Sequence, residues 1–302
     1  MEGVCRLCQN QKELRLSHII PKFVYSWFKR TSVSSLRMLD NPNKRIQDGA
    51  KEYLLCAECE QLLNKWETPF CNNIFLKVQN KEIKNEGMSY DRWALKFATS
   101  VSWRVFNYYA KEDNDHLSPE QQKSAEMANE TWRKFILGEL PHPGEFQQHI
   151  LLVDAIQSHT APKLSPFINR YFLSSIDMDI VATDDYAFVY TKFFRIIVFG
   201  FIHGREHKLW QGTKINAYSG VIGGCDSRIA SEVIEFMNKR ADIVFESQSD
   251  LSQKQQDKIA DLFSNNPEMI AGAEISRAMA YDYMHSGEKA FYKKDGGKEQ
   301  DD

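Results

Sequence analysis

Apolar and polar positions along the 302-residue chain follow three rhythms in turn. Residues 1–75 are punctuated, with short apolar runs broken by Cys, Arg, Lys, Pro and Asn. Within them, Leu14 to Ile20, Arg37 to Asp40 and Glu52 to Leu55 read as short strands, and Asn41-Pro42-Asn43 as a turn. Glu60 to Trp66 then takes helical spacing. From residue 89 that spacing dominates. Trp93, Leu95, Phe97, Val101, Trp103, Val105, Phe106 and Tyr109 place a broad apolar face on one helix of roughly twenty residues. Ser118-Pro119-Glu120 starts a second helix, with Ser as N-cap and Pro in the first turn. It runs through Trp132, Phe135 and Leu137 and closes at Gly138 and Pro141-His142-Pro143.

Over residues 146–220 the pattern becomes β-branched and aromatic. Tyr171 to Ala182, Tyr186 to Thr191 and Phe194 to Ile202 are expected strands, with Asp184-Asp185 as a turn and Leu209 to Ile222 as one more strand. After Gly223-Gly224 three helical segments follow, at 227–246, 251–265 and 267–286. The polar end, 291–302, is expected to be mobile. The order of elements implies an α+β protein: a small N-terminal module over 1–75, a larger mixed domain of helices and an antiparallel sheet over 76–290, and the tail.

Composition narrows the function classes. Apolar residues make up 42% and charged residues 26%, and the net charge is −3, so a basic coat gripping nucleic acid over the whole surface is excluded. The first 75 residues differ, with 11 Lys/Arg against 8 Asp/Glu. No leader-like apolar run follows Met1, and the apolar stretch Phe193 to Ile202 is too short to cross a bilayer, so the expectation is a cytoplasmic protein with no membrane partner. In that reducing setting, six cysteines favour metal binding over disulfides wherever they cluster.

They cluster in the first module. Cys5-x-x-Cys8 and Cys56-x-x-Cys59 are two pairs whose spacing turns both thiolates inward, and four thiolates make a closed structural zinc site. Cys71 and Cys225 stand alone as expected core thiols. Between the pairs lies Leu16-Ser17-His18-Ile19-Ile20-Pro21. With the two pairs, this motif resembles the HNH endonuclease superfamily in its treble-clef, four-cysteine zinc form, over roughly residues 4–67. The resemblance implies a ββα zinc module, a nucleic-acid partner (DNA above all), and His18 as the base that activates water. Proteins of similar layout belong to bacterial mobile-element and phage-defence settings, so an antiviral role is implied by analogy.

The match departs at three positions. Where the family keeps a metal-binding Asp or His before the base, this chain has Ser17. Lys51 stands in place of the Asn ahead of the second pair, and Glu60 in place of the His after it. Phosphodiester hydrolysis of this kind uses a divalent cation and a base. Glu60 is a suitable ligand for Mg²⁺ or Mn²⁺, with Asp48 or Asp40 as a further carboxylate from the long hairpin. Either the site is rebuilt around His18 and Glu60, or it is inactive and His18 braces the hairpin. Glu67, seven residues beyond Glu60, reads as a solvated acid.

Lys22, Lys29, Arg30, Arg37, Lys44, Arg45 and Lys51 form a basic group around the motif, with Lys44, Arg45 and Lys51 the expected phosphate contacts. Ile20, Phe23, Trp27 and Phe28 have helix-face spacing and read as core. Beyond residue 76 no motif emerges: His149, Asp154 and His159, the pair His203 and His207, and the turn Gly220 to Gly224 carry no recognisable chemistry. Two functions remain: a nucleic-acid-directed protein, nuclease or binder, or a zinc-stabilised module that recognises a protein or small ligand.

Overall fold

The computed structural model describes residues 1–32, 35–37, 42–46, 48–83, 86–110, 116–157, 163–204, 209–224, 226–248 and 250–291. Asp40, His159, His207, Cys225 and the tail beyond Phe291 lie outside them. The chain opens with β1 (Glu2–Val4) and β2 (Gln11–His18), an antiparallel pair with Gly3 opposite Lys12. Pro21 then stands just ahead of α1 (Lys22–Thr31), where its missing N–H costs nothing. The two-residue strands β3 (Leu36–Arg37) and β4 (Arg45–Ile46) form a hairpin, and β5 (Lys51–Cys56) pairs with β2 to complete a β1-β2-β5 sheet. α2 (Ala57–Phe70) starts directly at the second cysteine pair. It carries Pro69, and the chain loosens just beyond into a π-helical turn, Cys71–Phe75, before α3 (Leu76–Gln79).

The long helical rhythm resolves into β6 (Met88–Asp91) followed by α4 (Trp93–Tyr109). α5 (Pro119–Leu137) has the start its sequence announces: the Ser118 side chain accepts from Gln121 N, and the Gln121 side chain accepts from Ser118 N. Gly138, with φ of 85°, ends it. Next come β7 (Gln148–Leu152), α6 (Ile168–Ser174), β8 (Ile176–Ala182), β9 (Ala187–Phe193), β10 (Ile196–His203) and β11 (Ser219–Ile222). The chain finishes with α7 (Ser231–Gln248), α8 (Gln253–Asn265), α9 (Pro267–Ala271) and α10 (Glu274–Ser286).

Three expectations need correction. Tyr171 to Ser174 is helical, the end of α6, and only Ile176–Ala182 is strand. The cause is distant: the Asp282 carboxylate accepts the Asn169 and Arg170 N–H groups at 2.8 and 3.2 Å, capping α6 from α10. Leu209 to Ile222 yields only the four-residue β11, paired with β6. The last expected helix, 267–286, breaks at Gly272 and Ala273 into α9 and α10.

By packing, the chain forms two compact units, neither continuous in sequence. The first comprises Met1–Ser26, Asp48–Val153 and Ile176–Ala230. Its four-stranded antiparallel sheet has the order β7-β10-β9-β8. On one face Ile180, Ala187, Val189 and Ile202 join Trp103, Phe106 and Trp132 in a cluster that also takes in Cys5, Cys56, Cys59 and Leu63. The elements on both sides of residue 75 therefore share one core. Gly200 allows the closest approach there, since a Cβ on it would strike Ser102 of α4. The opposite face carries Phe188, Phe199 and Phe201 around Trp210.

The second unit comprises Trp27–Gln47, Asp154–Ser175 and Ser231–Asp302. The Asp282–Arg170 pair, at 2.8 Å with side chains 0% and 6% exposed, holds α10 to α6. Phe167 lies under the same guanidinium. The β3–β4 hairpin belongs to this unit as well, where Asn43 accepts from Ser252 N and donates to Asp250 O.

Candidate metal centre and the His18 site

The first cysteine pair lies in the connection between β1 and β2. Cys5 N donates to Asn10 O, Gln9 N donates to Cys5 O, and Gln9 takes a left-handed φ of 59° to turn the chain. The second pair spans a strand-to-helix junction: Cys56 is the last residue of β5 and the N-cap of α2, and Cys59 lies in its first turn. Arg6 N donates to Leu54 O and ties the two segments together, while Arg133 of α5 donates to Leu7 O. The four sulfurs lie within 4.8 Å of one another, with Cys8 and Cys56 at 3.9 Å. Cys5, Cys56 and Cys59 are buried.

Four thiols so packed cannot all ionise without a cation between them. Hydrogen bonding from Cys59, and then from backbone groups, draws the Cys5 thiol down to about 4 against the opposing pull of burial. Donating that hydrogen bond to Cys5, and then burial, push Cys59 up, and burial pushes Cys56 up to about 11. Bound metal removes this conflict by holding all four as thiolates. Among the described residues, this is the one group of three or more Cys, His, Asp or Glu side chains placed to hold a metal ion. Four soft thiolates in a buried cluster fit a structural metal such as zinc.

His18 ends β2, directly opposite Lys51 of β5. Its backbone carbonyl accepts from the Arg104 guanidinium at 3.2 Å. Its ring stacks on Tyr25, with centroids 5.9 Å apart and planes at 30°. Nε2 is buried, with no hydrogen-bonding partner among the described residues. Burial first, and then the Lys51 and Lys22 charges, lower the His18 pKa, with Asp48 and Glu60 opposing them. The ring is therefore held neutral at pH 7. Lys51 pairs with Asp48 at 2.8 Å. Ser17 faces inward, 1% exposed, and donates to Arg15 O.

Of the expected site residues, His18, Lys51, Asp48 and Glu60 are all in the first unit, and the charges of the last three act on His18. His18, Asp48 and Glu60 do not converge into a three-ligand metal group. Lys44 and Arg45 are exposed on the β3–β4 hairpin of the second unit, where Arg45 sits across from Arg37 and helps lower its pKa after burial. Lys51 and the Lys44–Arg45 pair thus belong to different units.

Glu67 is a correction. It is not a solvated acid but the partner of Arg104 at 2.8 Å, with side chains 13% and 5% exposed. Tyr25 and Arg104 are the neighbours of His18 that its motif does not announce. Tyr25 is seven residues downstream across a helix start, and Arg104 is 86 residues away. Compared with known proteins, the chain matches no family model, no curated protein and no solved structure.

Proposed function

We propose that this chain is a nucleic-acid-directed protein built on an HNH-like treble clef, with zinc on Cys5, Cys8, Cys56 and Cys59. Support for the module comes from its order of parts: a hairpin knuckle, a strand ending at His18, a second strand and a helix that starts at the second cysteine pair. A Zn²⁺ ion with sulfurs at about 2.3 Å sets them about 3.8 Å apart, close to the 3.9 Å of Cys8 and Cys56. Lys51, beside His18, is the cation placed to meet a phosphate.

The observation that favours a binder over a nuclease is the state of His18. Its neutral ring suits a general base, but Nε2 is buried, out of reach of water and phosphate, and Tyr25 stacks on the ring. In this closed conformation the module binds without cutting. Cleavage would require His18 to open and Mg²⁺ or Mn²⁺ to be held by Glu60 and Asp48.

The test is duplex DNA binding followed by anisotropy across a salt series, for wild type and Lys51→Glu. The proposal expects binding that weakens steeply with salt, and a flatter slope in the variant. Absence of binding at low salt removes it. A protein-binding platform is the second reading, and one observation favours it: Leu16 and Tyr53, paired across β2 and β5, are 51% and 46% exposed. If Leu16→Ser/Tyr53→Ser leaves DNA binding intact but abolishes a co-purifying partner, this second reading holds.

A further inference from the structure

His18 is covered by a small set of contacts. Tyr25, 4% exposed, stacks on the ring. Its position is set by a glycine: any Cβ on Gly49 would overlap the Tyr25 hydroxyl and ring edge. The residue before that glycine, Asp48, is tied to Lys51 at 2.8 Å, and Lys51 is the cross-strand neighbour of His18. The cover therefore consists of a ring, a glycine that admits it, and an ion pair that fixes the segment carrying the glycine. All of it lies where the chain leaves the first unit after Ser26 and rejoins it at Asp48.

The ion pair is also the weak link. Lys51 and Asp48 have side chains 28% and 29% exposed, so solvent screens them and a competing anion reaches the ammonium. A nucleic-acid phosphodiester carries the same single charge as the Asp48 carboxylate and accepts from an ammonium equally well, and its neighbours along the strand add their field to it. Once Lys51 turns to a phosphate, Asp48 loses this anchor, and the hold of the 48–50 segment on Tyr25, shared with the Ile19 N to Ala50 O hydrogen bond, loosens.

We propose that Tyr25 is a cover over His18, seated by Gly49 and latched by the Lys51–Asp48 pair, and that a nucleic-acid phosphate drawing Lys51 from Asp48 lifts it. The opening half rests on the nucleic-acid reading above; the cover itself does not. It makes His18 a site regulated by its own ligand, closed in the free protein and exposed in the complex.

Carbethoxylation of histidine by diethyl pyrocarbonate, read peptide by peptide by mass spectrometry, tests both halves, because the reagent favours the less hindered Nε2. His142 is exposed and His149 fully buried, and they serve as open and closed references. In the free wild type, His18 is expected to react at least about tenfold more slowly than His142, the protection given by a conformation that opens locally. Tyr25→Ala and, independently, Gly49→Ala should bring His18 to within about threefold of His142 while His149 stays protected. Reaction at His149 would mark unfolding and exclude that variant, leaving the other to decide. A wild-type His18 already as reactive as His142, or one unchanged in the folded variants, overturns the cover. Adding duplex DNA to wild type, with binding monitored on the same sample, should speed His18 modification. DNA that binds without doing so overturns the opening. DNA that does not bind overturns the nucleic-acid reading and the opening together, and the variants still decide the cover.

Discussion

Removing the Glu67 carboxylate should damage this protein more than removing the arginine it faces. Arg104 of α4 is 4% exposed: it donates to His18 O at 3.2 Å and Ser100 O at 3.3 Å, and its third nitrogen lies 2.8 Å from Glu67 Oε1 as an ion pair. Glu67→Ala leaves a buried guanidinium with only neutral carbonyls around it, which costs about 3–5 kcal/mol. Arg104→Met removes the charge that most needs a partner. Glu67 at 13% exposure retains some access to water, and the main loss is the unpaired His18 carbonyl, worth about 1–3 kcal/mol. The double variant Arg104→Met/Glu67→Leu should cost less than Glu67→Ala alone, because a well-packed apolar pair replaces a buried ion pair at little net loss. Urea unfolding followed by tryptophan fluorescence suits the measurement, since five of the six tryptophans (all but Trp27) lie in the first unit. A Glu67→Ala cost below about 1 kcal/mol, or a larger cost for Arg104→Met, would refute the buried-pair argument.

Two further predictions follow from groups held in unusual settings. The His18 pKa is lowered in the folded state from its ordinary 6.5, so as pH falls below 6.5 the unfolded chain takes a proton that the native one refuses. Stability should drop from pH 6.5 down to the folded pKa and level off below it, and the drop should shrink in His18→Gln; parallel curves for the two proteins would contradict the assignment. In the second unit, Asp282→Ala should strip the cap from α6 and strand Arg170, at about 3–5 kcal/mol, read as early loss of helical circular dichroism while the fluorescence of the five first-unit tryptophans, all but Trp27, is retained.

Some of this fold was legible in the residues and some was not, and the division follows contact range. The two Cys-x-x-Cys pairs, the Ser118 capping box and the apolar face of α4 are local patterns, and the chain builds what they announce. The α6 segment carries strand-like residues but is helical, because Asp282 caps it across more than a hundred residues. Glu67 and Glu60 share a helix and a spacing that suggests solvated acids, yet α4 brings Arg104 onto only one of them. Likewise the hairpin with Lys44 and Arg45 lies between the two cysteine pairs in sequence while its contacts lie with residues near 250. Nothing local in 27–47 encodes that destination. The site itself was half visible: His18 and its cross-strand Lys51 came from the motif, but the Tyr25 ring that closes over His18 depends on Gly49, whose role appears only once a Cβ is placed there.

The most direct test of the account is metal content measured together with melting. Protein prepared without chelator should hold about one zinc per chain. Cys56→Ser should lose that zinc, and because Cys5, Cys56 and Cys59 pack in the same cluster as Trp103 and Trp132, its tryptophan-detected melting should fall by many degrees. A wild-type protein free of metal, or a Cys56→Ser variant that melts with the wild type, would contradict a metal-held module.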